Sequence, residues 1–330
     1  MRIILYECKK ILRLPLLIIL ILFTLLFYNL FMNSQHYPND NADLVAQEDL
    51  AHILMDKYQT SLPYSEMGIL QEIKQQQFET LDSLVQNNEV LQNAGIKSWQ
   101  QLRAMDMDTM EEEISEAQSE IMFDTGMREV FLYQDIENTE EHMEYIPFMG
   151  IENGKEEEAA RKICEAQIKP DSDKASCHRI AQVIARNEMS LLPTGAFQRA
   201  TEDIARLGML LIFSCLLLIL PYQIRERLAH VNPLFATTST GRGIFGKRYV
   251  AAIISCLMIC LLQAGIFLLV LFKVGILKYS SCLSSGNGWD YLWFDMSFGS
   301  YLALNIGSAI LFSIAVMTVF LQLLEHHVQF

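Results

Sequence analysis

MRIILYECKKILRLPLLIILILFTLLFYNLFM, residues Met1–Met32, decides the fold. Its first 13 residues carry Arg2, Lys9, Lys10 and Arg13, and Leu14–Met32 then runs 19 residues without a charge. A helix rises about 1.5 Å per residue, so this stretch is long enough to cross a bilayer core of about 30 Å. Its length exceeds the apolar core of about 7–15 residues found in signal peptides. No small-residue cleavage pattern follows it, so we read it as a retained membrane helix.

Three later stretches repeat the signal. Leu207–Tyr222 has 16 uncharged residues and extends once Arg206 and Arg225 reach for the headgroups; Tyr249–Phe272 and Phe298–Leu321 have 24 each. Lipid offers the backbone no hydrogen-bond partners, so these segments must be helices. With 51% hydrophobic and 19% charged residues, the composition excludes an ordinary soluble domain.

Charge assigns the sides. Basic residues cluster in the stub before the first helix and in the loop after the second, at Arg225, Arg227, Arg242, Lys247 and Arg248. The positive-inside rule places both in the cytoplasm, and the two crossings between them keep the parity even. Between them, Asn33–Ala205 holds 34 Asp and Glu against 13 Lys and Arg, a net of −21, which belongs outside. The expected organisation is all-α: a polytopic helical membrane protein with a large, mainly helical extracytoplasmic domain between helices 1 and 2. Its segments are a cytoplasmic stub at 1–13, helix 1 at 14–32, the acidic domain at 33–205 and helix 2 at 206–222. A basic cytoplasmic loop at 223–248, helix 3 at 249–272, an outer loop at 273–297, helix 4 at 298–321 and a tail at 322–330 complete it. The outer loop carries Trp289, Tyr291, Trp293 and Phe294, aromatic residues suited to the headgroup layer.

Within the acidic domain, apolar spacing predicts helices near 42–58, 65–86 and 109–123. Leu70, Ile73, Leu81 and Leu84 mark one apolar face, widened by Phe78 and Val85; Met110, Ile114, Ala117 and Ile121 mark another. Thr109 and Glu112 fit a capping box. Phe131–Gly154 shows no clear period, which leaves room for a short strand pair. Lys155–Ile168 and Lys174–Met189 read as a helix hairpin broken at Lys169–Asp173, which contains Pro170. That hairpin brings Cys164 near Cys177. A disulfide there closes about 12 residues and contributes about 3 kcal/mol; the alternative is two unpaired thiols. Cys215, Cys256 and Cys260 read as small apolar residues within membrane helices.

Gly241 to Lys247 matches the phosphate-loop spacing, but Arg248 stands where that motif needs Ser or Thr, and a membrane helix follows instead of an α/β domain. The chain is therefore expected to be no enzyme and to hold no cofactor and no metal. Gln263 and Asn305 read as hydrogen-bonding residues between helices, and Gly299, Ala303 and Gly307 as a close helix contact. No Asp, Glu, Lys or Arg falls at mid-membrane, which argues against an ion-coupled carrier.

The inner loop from Ile224 to Lys247 resembles the loop after the second membrane helix of ABC-2 type transporter permeases. Glu226, Thr238, Gly241, Arg242 and Lys247 stand at the matching positions. The stub Tyr6–Arg13 is similar to the family's interfacial lead-in helix, with Ile3, Ile4, Cys8, Ile11 and Leu12 set to face lipid and Lys9, Lys10 and Arg13 set to face headgroups. The resemblance covers the membrane half only, and four crossings stand where the family usually has six.

That resemblance implies the membrane-spanning subunit of an ABC exporter in the cytoplasmic membrane, N-terminus inside, moving a substrate that the chain does not name. Its partners would be a separate ATPase and a second permease copy in a homo- or heterodimer, within lipid and without nucleic acid. Glu226, Arg242 and Lys247 would form the ATPase-coupling surface, with Glu7 and Lys10 at its margin and Thr238 and Gly241 setting the loop geometry. Two other readings stand beside it. A MacB/FtsX-like permease or transmission subunit has four helices and a large outer domain between the first two. A non-transporting sensor or scaffold would bind cationic partners through its acidic domain.

Overall fold

The computed structural model describes residues 2–32, 42–66, 68–105, 111–146, 188–228, 239–284 and 296–326. The chain divides into two compact units. One comprises Met1–Tyr37, Gln198–Lys278 and Ser300–Phe330; the other comprises Pro38–Phe197 and Tyr279–Gly299.

The first unit is built on four helices, among the described residues, that are long and apolar enough to cross a membrane. The amphipathic α1, Arg2–Ile11, precedes them. The first span is α2, Leu14–Phe27, carried on to Met32 by a single π-helical turn. Arg13 is extended and Pro15 sits in the first turn of α2, where its missing N–H breaks no helical bond. The chain therefore turns between the two helices. The other spans lie within α9, Thr194–Leu228; α10, Ser239–Val274; and α11, Phe298–His326. Leu22, Leu269, Leu311 and Phe312 are each more than 60% exposed, a surface suited to hydrocarbon and costly in water. α9 and α10 bury a larger share of their apolar windows, 44% and 39%, than the first span at 17% or the last at 22%, so these two are the centre of the bundle.

Two boundaries move. The loop expected at 223–248 is shorter, because α9 runs on to Leu228 and α10 already begins at Ser239. Gly241, Arg242, Lys247 and Arg248 are thus helical, and the Gly241–Lys247 spacing forms no phosphate-cradling loop. No proline interrupts Ser239–Val274, whereas Pro221 lies inside α9.

The second unit is a polar, mainly helical domain. α3, Ala42–Tyr58; α4, Gly68–Asn87; α5, Glu89–Asn93; α6, Trp99–Arg103; α7, Glu112–Glu120; and α8, Met127–Ile146, follow in order. Two three-residue strands, β1 at Ser61–Pro63 and β2 at Glu188–Ser190, pair antiparallel. α4 serves two cores at once. Leu70 and Ile73 join Leu50, Leu54, Leu62 and Ile136 in one; Leu81 and Val85 join Leu91, Trp99, Leu102 and Ile121 in the other. The apolar faces expected on α4 and α7 are the buried ones, with Ile114, Ala117 and Ile121 all inside.

Caps close the short helices. The Asn88 side chain accepts the N–H groups of Val90 and Leu91, and Ser98 accepts that of Gln101. Gly95, at φ 78°, ends α5 in the left-handed region, with Ile96 N–H bonded back to Leu91 O. Gly126 is required by space: a Cβ there would lie 2.8 Å from Leu84 Cδ1 and 2.9 Å from Ile121 O.

The domain corrects several expectations. Residues 131–146 form no strand pair; they continue the helix α8. Its buried residues fall on two faces, Val130 toward one core and Leu132 and Ile136 toward the other, which erases the single-stripe period. Glu188 and Met189, expected at a helix end, lie in β2 and pair with Pro63 and Leu62. The N-cap of α7 is Glu111, without a side-chain cap bond, and Thr109 and Met110 lie outside the described residues. So do Cys164, Cys177 and most of their hairpin, along with Thr238 and the aromatic cluster Trp289–Phe294.

Candidate functional site

Four charged side chains meet where α1 packs against the bundle. Arg248, two turns into α10, donates to Glu226 near the end of α9, Nη2 to Oε2 at 2.5 Å; its Nε lies 3.9 Å from Glu7 Oε1. Lys10 bridges the same two carboxylates from above, 3.1 Å from Glu7 and 3.8 Å from Glu226. The Tyr222 hydroxyl donates to Glu7 Oε2 at 2.9 Å. Glu7, Glu226 and Arg248 are each more than 90% buried.

The residues explain the arrangement. Glu7, Cys8 and Ile11 recur on one side of α1 and are its buried positions, and Cys8 Sγ reaches Ala251 O of α10 at 3.5 Å. Two buried carboxylates would be prohibitive alone. Lys10 and Arg248 bring the group to zero net charge, and Tyr222 adds a donor. An arginine suits the centre because its planar fork can serve two acceptors at once.

This geometry changes part of the face expected of α1, while Ile3, Lys9 and Arg13 are exposed as expected. Cys8 and Ile11 were read toward lipid, yet they are buried in the unit, because Glu7 must face Tyr222 and Arg248. It also gathers three of the expected residues, Glu7, Lys10 and Glu226, into one cluster. Lys247 is exposed outside it, the Arg242 side chain is not among those described, and Gly241 lies in the first turn of α10. Neither Tyr222 nor Arg248 is among the residues expected at the coupling surface. Tyr222 stands 215 residues from its partner Glu7, a separation at which spacing carries no signal.

A second polar group sits within the apolar stretches. Gln263 of α10 donates through Nε2 to Thr24 Oγ1 of α2 at 3.1 Å and to Ser214 Oγ of α9 at 2.7 Å, with all three residues buried. Gln263 Oε1 has no hydrogen-bond partner among the described residues. Gln263 therefore does link helices as read, whereas Asn305 bonds to Tyr301 O on its own helix. Among the described residues, the small-residue stripe of α11 makes no contact of the expected kind: nothing described lies within 4 Å of a Cβ at Gly307, and Gly299 closes on the Ser280 backbone.

The cysteines within the spans are free and buried, with Cys215 Sγ and Cys260 Sγ 3.6 Å apart. In the polar unit, burial pushes the Cys282 thiol up to about 11, which keeps it protonated and inert at neutral pH. No group of three or more metal-ligating side chains occurs among the described residues. No protein-family model, curated protein or solved structure matches the chain.

Proposed function

We propose that this chain is the membrane-spanning subunit of an ABC-2 type transporter, in which a separate ATPase supplies the work. The observation that carries the reading is the buried quartet of Glu7, Lys10, Glu226 and Arg248, which ties α1 to adjoining ends of α9 and α10. A partner that displaces α1 or the segment between α9 and α10 then moves both central spans together. Separating the buried pairs would leave uncompensated charge, at a cost of about 3–5 kcal/mol.

In this reading Glu7, Glu226 and Arg248 are positioning residues, since their charges are spent on one another. Lys247 and Arg242 carry the docking. The polar unit faces the exterior, the N-terminus and the 223–248 segment face the cytoplasm, and a second permease copy completes the translocation path. The second reading, a MacB/FtsX-like four-helix permease or transmission subunit, is supported by the four apolar spans among the described residues.

Purification from native membranes with endogenous partners tests both transport readings: an ATPase should accompany the chain, and Arg242→Glu should abolish that association. Co-purification unchanged by Arg242→Glu would remove the docking role. The absence of any ATPase would leave the sensor or scaffold reading in its place. After reduction by a membrane-impermeant phosphine, labelling of Cys164 on intact cells by a membrane-impermeant thiol reagent should succeed, and its failure after that reduction would overturn the assigned sides.

A further inference from the structure

The buried quartet has a consequence on the opposite side of α1. By holding Glu7, Cys8 and Ile11 inward, it fixes the helix rotation and leaves Arg2, Leu5, Tyr6 and Lys9 facing out. These positions, spaced i, i+3, i+4 and i+7, form one continuous stripe; Arg13 lies past the end of the helix, in extended backbone at the start of the first span. All five are exposed, Leu5 and Tyr6 by 67% and 62%. The stripe and Arg13 together hold three cations, two large apolar side chains and no acid. Lys10 flanks the stripe: its ammonium pairs with Glu7 and Glu226 and lies 5.1 Å from the Tyr6 ring centroid.

Chain continuity sets the depth of this stripe. α1 ends at Ile11 and the first span begins at Leu14. Three residues reach at most about 10 Å, so α1 is held close to the edge of the hydrocarbon. At that depth Leu5 and Tyr6 gain by entering the acyl boundary, while Arg2, Lys9 and Arg13 lie level with phosphates. The two carboxylates that would offset these cations are neutralised on the other side of the helix. We propose that the outward face of α1 is a seat for anionic phospholipid headgroups. It discriminates net negative lipids from zwitterionic ones through Arg2, Lys9 and Arg13.

The inference does not rest on the transporter reading, and its test needs no partner protein. The full chain carrying Tyr6→Trp is placed in nanodiscs of phosphatidylcholine with about 30% phosphatidylglycerol, and the chain without that substitution is subtracted as the emission background. Bromine is carried in turn on the acyl chains of each lipid, at equal total bromine. Brominated phosphatidylglycerol should quench the difference emission about twofold more than brominated phosphatidylcholine, and 1 M salt should reduce that preference. Adding Arg2→Gln, Lys9→Gln and Arg13→Gln together should abolish the preference while leaving quenching by phosphatidylcholine in place. Equal quenching by the two lipids with the three cations intact would overturn the proposal. An absence of quenching by either lipid would also overturn it, and would mark the stripe as a protein-facing surface.

Discussion

In the unit that holds the four apolar helices, Leu22, Leu269 and Leu311 face outward while Glu7, Glu226 and Arg248 are enclosed. In the polar unit Leu54, Leu62 and Leu81 are enclosed while Glu72, Glu79 and Glu112 face outward. Each unit obeys the same rule in a different solvent. Where the surroundings are hydrocarbon, burying a leucine gains little from solvent, so close packing, as at Leu207, Leu210 and Leu211, and enclosed polar contacts together specify the arrangement. Where the surroundings are water, leucine burial drives folding and charges stay hydrated. A buried charge in the first unit should therefore matter far more than an exposed one in the second.

Four substitutions sharpen or break that contrast. Arg248→Ala leaves the Glu7 and Glu226 carboxylates to share Lys10 alone, one buried negative charge uncompensated, and should cost about 3–5 kcal/mol, read by denaturant titration of the full chain in mixed micelles. A loss below about 1 kcal/mol would show that water reaches the cluster and that the quartet is no latch. Leu54→Ala, at 1% exposure, should cost about 3 kcal/mol and raise hydrogen exchange in α3 and α8, while the exchange of α9 and α10 stays unchanged. Gln263→Leu removes two helix-to-helix bonds but spares the bond of Thr24 to Leu20 O, and a loss of about 1 kcal/mol is expected in the same micelle titration. Arg128→Gln breaks an ion pair with Asp49 whose arginine is 64% exposed, and should shift stability by less than about 0.5 kcal/mol. Should Arg128→Gln match Arg248→Ala in a melting comparison, the contrast between the units fails.

Much of the architecture was legible along the chain. The four spans follow from hydropathy alone, because a helix in lipid needs only length and the absence of charge. α3, α4 and α7 were legible because each presents an apolar face to its neighbours. α8 was not, since it lies between two cores and buries residues on more than one face, as Val130 and Ile136 show. For the candidate site, sequence supplied Glu7, Lys10 and Glu226 but neither their arrangement nor Arg248 and Tyr222. α1 shows why: its pattern reads equally well with Ile11 toward lipid, and only the distant partners of Glu7 choose the other rotation.

The amino-acid sequence by itself determined where the chain is apolar enough to span a membrane, and where charge collects. Both are sums over neighbouring residues and need no partner. The tertiary structure decided which way α1 is turned and which of the many basic residues is buried. Those outcomes depend on carboxylates and guanidinium groups more than 200 residues apart neutralising one another at close range, where the energy falls off too steeply for sequence spacing to record it.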